Sequence, residues 1–63
     1  MDLKTLRAVK RLRQIEVAQA AGIATSKLSL IENGLIEPKE SERVRIAKAL
    51  NTAEDEINWQ KNG

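Results

Sequence analysis

Thr25, Ser26, Lys27, Ser29 and Leu30 are the residues of this chain whose types and spacing suit a shared chemical task. Read as a helix, they set short hydroxyl side chains beside one cation and one leucine, with no carboxylate before Glu32. Hydroxyls donate to or accept from base edges, a lysine reaches a guanine or a phosphate, and an exposed leucine contacts a thymine methyl. The same residues also describe an ordinary solvated helix face, since Ser, Thr and Lys are common at surfaces. What separates the two readings is the element that carries them.

That element follows a hinge. Residues 14–33 read as two short amphipathic helices joined at Gly22, with Val17, Ala18 and Ala21 on one face before it and Ile23, Leu28 and Ile31 as a second apolar set beyond it. Ala18 and Ala21 are small enough to let the helices approach closely. Gly22 stands where the turn needs a positive φ, which glycine adopts without steric cost. The pattern is a helix-turn-helix, which lays its second helix across the first and leaves the outer face free.

The rest of the chain also reads as helix. Asp2 is placed to cap a first helix running to about Leu12, with Leu3, Leu6 and Val9 or Lys10 at helical spacing. Gly34 ends the helix over 25–33, and residues 35–38 form a loop because the residue before Pro38 is biased away from helix. A fourth helix is expected from Lys39 or Ser41 to Leu50. Thr52 and Asp55 resemble a capping box with a shorter acid, opening a short fifth helix through Ile57 or Trp59. No strand pattern, repeat or low-complexity segment competes. The expectation is an all-α, compact bundle of about five short helices, one domain over residues 1–63.

Composition narrows the function. With no Cys and no His there is no disulfide framework, thiol nucleophile or histidine-based metal site. No enzyme activity, cofactor or small-molecule site is expected. No apolar stretch is long enough to span a bilayer, and Met1-Asp2-Leu3-Lys4 does not open a signal peptide, so a cytoplasmic protein is expected. The net charge of +2 is unevenly placed: residues 1–39 hold seven Lys and Arg against four Asp and Glu, residues 40–63 four against five. Lys4, Arg7, Lys10, Arg11 and Arg13 make the first segment basic, which fits a phosphate-facing front and a neutral back.

Taken in order, these motifs resemble the phage repressor and Cro family of helix-turn-helix DNA-binding domains over nearly the whole chain. The family's opening is present as Leu3-Lys4-Thr5-Leu6-Arg7, and its signature as Gln14, Val17, Ala18 and Gly22, followed by Leu28-Ser29-Leu30-Ile31-Glu32-Asn33-Gly34. A loop with Pro38 and the run Ile46-Ala47-Lys48-Ala49-Leu50 close the match. Each element is weak alone; together, at the family's spacing, they are specific.

The resemblance implies a lambda-repressor-like fold and a sequence-specific transcriptional regulator, a repressor, that reads double-stranded operator DNA through the major groove as a dimer. An antitoxin or adaptor module on the same fold, contacting a protein, is the alternative. By position in the family, Gln14 helps fix the domain on a phosphate or base, and Asn33 anchors the DNA backbone or ends its helix. Lys39 lies near phosphates or the minor groove, or is a plain surface lysine. Arg7 and Glu32 match an ion pair joining the first and third helices.

The chain departs from the family at Arg11-Leu12-Arg13-Gln14, where Gly-hydrophobic-Ser/Thr-Gln is usual. Arg13 then offers no side-chain oxygen as a cap, while Arg11 and Arg13 add positive charge where a phosphate is expected. Arg43 replaces a small or aliphatic residue that the family buries. Ile57 matches a core leucine. Trp59 either covers the core or lies in an interface, and a weak homodimer through the C-terminal region is expected with Trp59 as its candidate contact.

Overall fold

Four α-helices make up most of the described residues, and each ends in the same local way. The computed structural model describes residues 1–59. It contains α1 (Leu3–Val9), α2 (Gln14–Ala21), α3 (Thr25–Glu32) and α4 (Glu40–Ala49), then one 3-10 turn over Glu54–Glu56. After each helix one residue enters the left-handed region: Arg11 at φ 57, Gly22 at 71, Gly34 at 72 and Asn51 at 53.

At all four places that residue and its successor donate backward to helix carbonyls. Arg11 and Leu12 bond to Ala8 and Arg7, Gly22 and Ile23 to Gln19 and Ala18, Gly34 and Leu35 to Ile31 and Leu30, and Asn51 and Thr52 to Lys48 and Ala47, at 3.0–3.2 Å. This paired closure satisfies carbonyls that the end of a helix would otherwise leave bare. Glycine suits the left-handed position, asparagine tolerates it, and arginine carries a Cβ penalty there. The early stop at Arg11 keeps α1 short of the expected Leu12 and leaves Val9 62% exposed, outside the apolar stripe of Leu3 and Leu6.

Helix starts use side-chain acceptors where the sequence supplies them. Asp2 Oδ1 accepts the Thr5 N–H at 2.8 Å to open α1. Arg13 brings no acceptor to α2, as expected, but Glu16 reaches back to take the Arg13 N–H at 2.7 Å. Glu42 does the same for Lys39 at the start of α4, at 2.8 Å. Half of a capping box is thereby recovered at each helix.

The core forms where α2 packs against α3 and α4. Val17, Ala18 and Ala21 of α2 meet Leu28 and Ile31 of α3 and Ile46 and Ala47 of α4, with Leu3, Leu50 and Ile57 closing the sides. Ala18, Leu28 and Ile46 are fully excluded from solvent. Small Ala18 and Ala21 set the close approach of the helix-turn-helix.

The expected fifth helix is instead the single 3-10 turn. Thr52 does not cap it: its Oγ1 donates to the Leu50 carbonyl at 3.1 Å, and Ala53, which leads the turn, provides no side-chain acceptor. Ile57 then leaves in an extended conformation, φ −97 and ψ 128, and is buried to 4% exposure. Asn58 donates its N–H to the Met1 carbonyl at 3.0 Å, the one isolated bridge pairing Asp2 with Asn58. Seating Ile57 and pairing the following residue with the N-terminal segment override the weak helix start. Arg43, whose packing was irregular by sequence, lies half-buried with Nε 3.2 Å from Glu54 Oε2, an ion pair to the 3-10 turn that is not aligned as a hydrogen bond.

The left-handed positions generate a stability test. Arg11→Gly should stabilise the fold by about 1 kcal/mol, raising Tm by about 4–8 °C. Gly22→Ala should destabilise it by about 1–2 kcal/mol through φ alone. A Cβ there would meet only Arg45 Nη1, at an ordinary 3.5 Å. Thermal melts of the two variants check both signs.

Candidate nucleic-acid interface

α3 is held at each end by an ion pair to another part of the fold. Near its C-terminus the Glu32 side chain, 2% exposed, receives Arg7 Nε at 2.7 Å. Arg7 Nη2 and Gln14 Nε2 donate to the other carboxylate oxygen at 3.2 and 3.1 Å. Arg7 Nη1 meanwhile donates to the Leu12 carbonyl at 2.9 Å, in the turn between α1 and α2. A buried carboxylate is tolerated only with such a complement of donors. Glu32 thus fastens α3 to both α1 and α2, as the family resemblance implied for its pairing with Arg7.

At the other end of α3, Lys27 Nζ donates to Glu42 Oε2 at 2.5 Å. Glu42 is 5% exposed, and its second oxygen takes the Lys39 N–H. The Lys27 ammonium, and after it the Lys39 N–H, hold the Glu42 carboxyl below its ordinary value of 4.5. Glu16 is lowered in the same sense, chiefly by the Arg13 N–H.

These contacts redistribute the residues singled out by sequence. Ser26 and Leu30 remain exposed on α3, Leu30 at 40%, and Thr25 and Ser29 are half-buried beside them. Lys27 is turned away to α4 rather than standing with them. Gln14 is half-buried and spends an amide N–H on Glu32, which makes it a joint between α2 and α3. Asn33 Nδ2 donates to the Ser29 carbonyl at 2.8 Å, so its helix-ending role is realised in the fold.

Arg11 and Arg13 are exposed in the turn between α1 and α2, and Lys39 is exposed at the start of α4. Glu42 was absent from the sequence-based set. Its signal was an acid three residues after the helix-preceding Lys39, but its burial against Lys27 depends on how α3 crosses α4.

Trp59 is placed against the core, half-buried, with Nε1 donating to the Glu54 carbonyl at 3.0 Å. Of its two sequence-based roles, this placement favours covering the core. More exposed apolar side chains lie elsewhere, among them Leu35 (70%) in the loop after α3 and Val9 (62%) at the end of α1. Among the described residues no helix is long and apolar enough to cross a membrane.

A helix-turn-helix whose second helix is pinned across the first is the architecture with which DNA-binding domains present a recognition helix. A family model described as a helix-turn-helix domain matches residues 2–60. The chain belongs to that family, which is of the repressor and Cro-like type. No curated protein and no solved structure matches it.

Two outcomes follow from the ion pairs. Arg7→Met leaves the Glu32 carboxylate buried without its main partner and should cost about 3–5 kcal/mol, which approaches the whole stability of so short a chain. Urea unfolding measures the loss. Because Glu16 and Glu42 have depressed pKa values in the folded chain, the stability they contribute is present above about pH 4.5 and is lost as pH falls through the depressed values. Unfolding monitored between pH 6 and pH 2 should therefore show an acid limb, shallower in Glu42→Gln, at roughly those carboxylate pKa values.

Proposed function

We propose that this domain is a sequence-specific regulator of transcription, a repressor that binds operator DNA with α3 in the major groove. The observation that carries this reading is the outward face of α3: Thr25, Ser26, Ser29 and Leu30 present hydroxyl and apolar groups with no unpaired charge among them. Hydroxyls of that size donate to or accept from base edges, and an exposed leucine meets a thymine methyl.

Affinity then rests on flanking cations, and exposed Arg11, Arg13 and Lys39 are assigned to phosphates. Arg11 supports this assignment independently. It occupies a left-handed position that glycine would fill without strain, and strained residues of this kind concentrate at functional sites. Gln14 and Asn33 are assigned to positioning: Gln14 spends an amide hydrogen on Glu32, and the exposed Asn33 spends one on the Ser29 carbonyl at the end of α3.

Pairing of two copies on a two-fold-related site belongs to the same reading. A single module of this kind buries roughly 600–1,000 Å² on DNA and reads few base pairs. The expected contact at Trp59 has less support, because that side chain is half-buried against its own core. The exposed Leu35 and Ile36 beside Leu30 favour a second reading, an adaptor or antitoxin-like module that binds a protein through this apolar loop.

Salt separates the readings: DNA binding falls steeply with ionic strength, whereas apolar association does not. Selection from a randomised duplex pool should yield a preferred sequence. Thr25→Ala and Ser26→Ala should alter it, costing about 1–3 kcal/mol per lost base contact without changing the fold. Arg11→Gln with Arg13→Gln should weaken preferred and mixed-sequence duplexes alike and flatten the plot of log affinity against log salt by about 1–2 units. An unaltered preference in both alanine variants removes the base-reading assignment.

A further inference from the structure

The role of Glu42 extends beyond capping α4. We propose that Glu42 is a specificity-determining residue of the DNA-reading surface, holding Lys27 Nζ against α4 so that the only cation of α3 is withheld from the phosphates. This rests on the DNA-binding reading above.

Three observations converge on it. Lys27 is the only Lys or Arg in α3, and it lies between Ser26 and Leu28 in the helix whose exposed residues are assigned to bases. Its ammonium reaches Glu42 Oε2 at 2.5 Å, and that carboxylate is nearly excluded from water, with 7% of the side chain exposed. The other oxygen of Glu42 is engaged by the Lys39 N–H at 2.8 Å, so the carboxylate is fixed by its own helix start and Lys27 is the group that comes to it.

The consequence is chemical. A lysine released toward the duplex backbone adds a sequence-independent phosphate contact, which strengthens every site equally and dilutes discrimination. With Lys27 held by Glu42, binding from α3 comes from hydroxyl and apolar contacts that differ between base pairs. Lys27 itself is half-buried, with 36% of its side chain exposed, and its charge is met by the Glu42 carboxylate.

Glu42→Gln tests the assignment cleanly, because the glutamine carbonyl still accepts the Lys39 N–H while the charge that holds Lys27 is gone. The probes are a mixed-sequence duplex and the duplex recovered from the randomised pool, titrated over a range of salt concentrations. Glu42→Gln should bind the mixed-sequence duplex several-fold more tightly at low salt, steepen its salt slope by about 0.9, as one added phosphate contact does, and lower discrimination several-fold. Lys27→Gln should leave the parent's slope unchanged, and adding it to Glu42→Gln should return the slope to the parent value.

Reactivity of the Lys27 amine toward acetic anhydride, read by peptide mass, gives an arm that needs no DNA: it should rise in Glu42→Gln. A merely structural tie would lower stability without moving either slope. A parent that binds duplex but whose slope becomes shallower by about 0.9 in Lys27→Gln overturns the proposal, since Lys27 would then already face a phosphate. So does an unchanged slope in Glu42→Gln. A parent that binds no duplex overturns the DNA reading itself, and the proposal with it.

Discussion

The burial of one carboxylate governs how the rest of the structure is arranged. Glu32 ends α3 with its side chain almost wholly out of water, where a lone negative charge would be prohibitive. Its needs are met by Arg7 from α1 and Gln14 from α2, so satisfying it brings three helices to one point. Arg7 has a donor left over, and gives it to the Leu12 carbonyl in the intervening turn. The apolar core holds these helices together without directing them, because dispersion and burial have no preferred axis. The carboxylate supplies the direction.

The opposite end of α3 repeats the arrangement with the charges exchanged. There α3 supplies the cation, Lys27, and α4 the buried acid, Glu42. The helix is therefore anchored by its own two charges, each pulled inward, and the surface left outside is neutral. In the proposed DNA-binding reading, the groups that tether α3 are the same groups whose absence from its outer face leaves base contacts to decide. Basic charge sits beside the helix, at Arg11, Arg13 and Lys39.

The hinge and the core were legible because they depend on backbone permission and periodicity. Gly22 and Gly34 take the positive φ that their positions demanded, and Val17, Ala18, Ala21, Leu28 and Ile31 are buried as their spacing required. The pairing of Arg7 with Glu32 was legible only through family resemblance, since nothing local links positions so far apart. Lys27 and Gln14 were harder. A helical wheel assigns a residue to a sector, but a long side chain at the edge of that sector can reach either solvent or a buried partner, and the partner lies on another helix. The end of α1 was placed too late, at about Leu12, for a different reason: the closing bonds at Arg11 outweighed the preference of arginine for negative φ. The fifth helix failed where seating Ile57 in the core mattered more than a weak capping signal.

The repeated helix ending bears on how the chain reaches this structure. Each of the four closures joins residues at most five apart in sequence, so the direction in which the chain leaves every helix is fixed by local bonds. A helical domain with such local reversals has low contact order, and folding on a scale of roughly microseconds to milliseconds is the kinetic counterpart of its architecture.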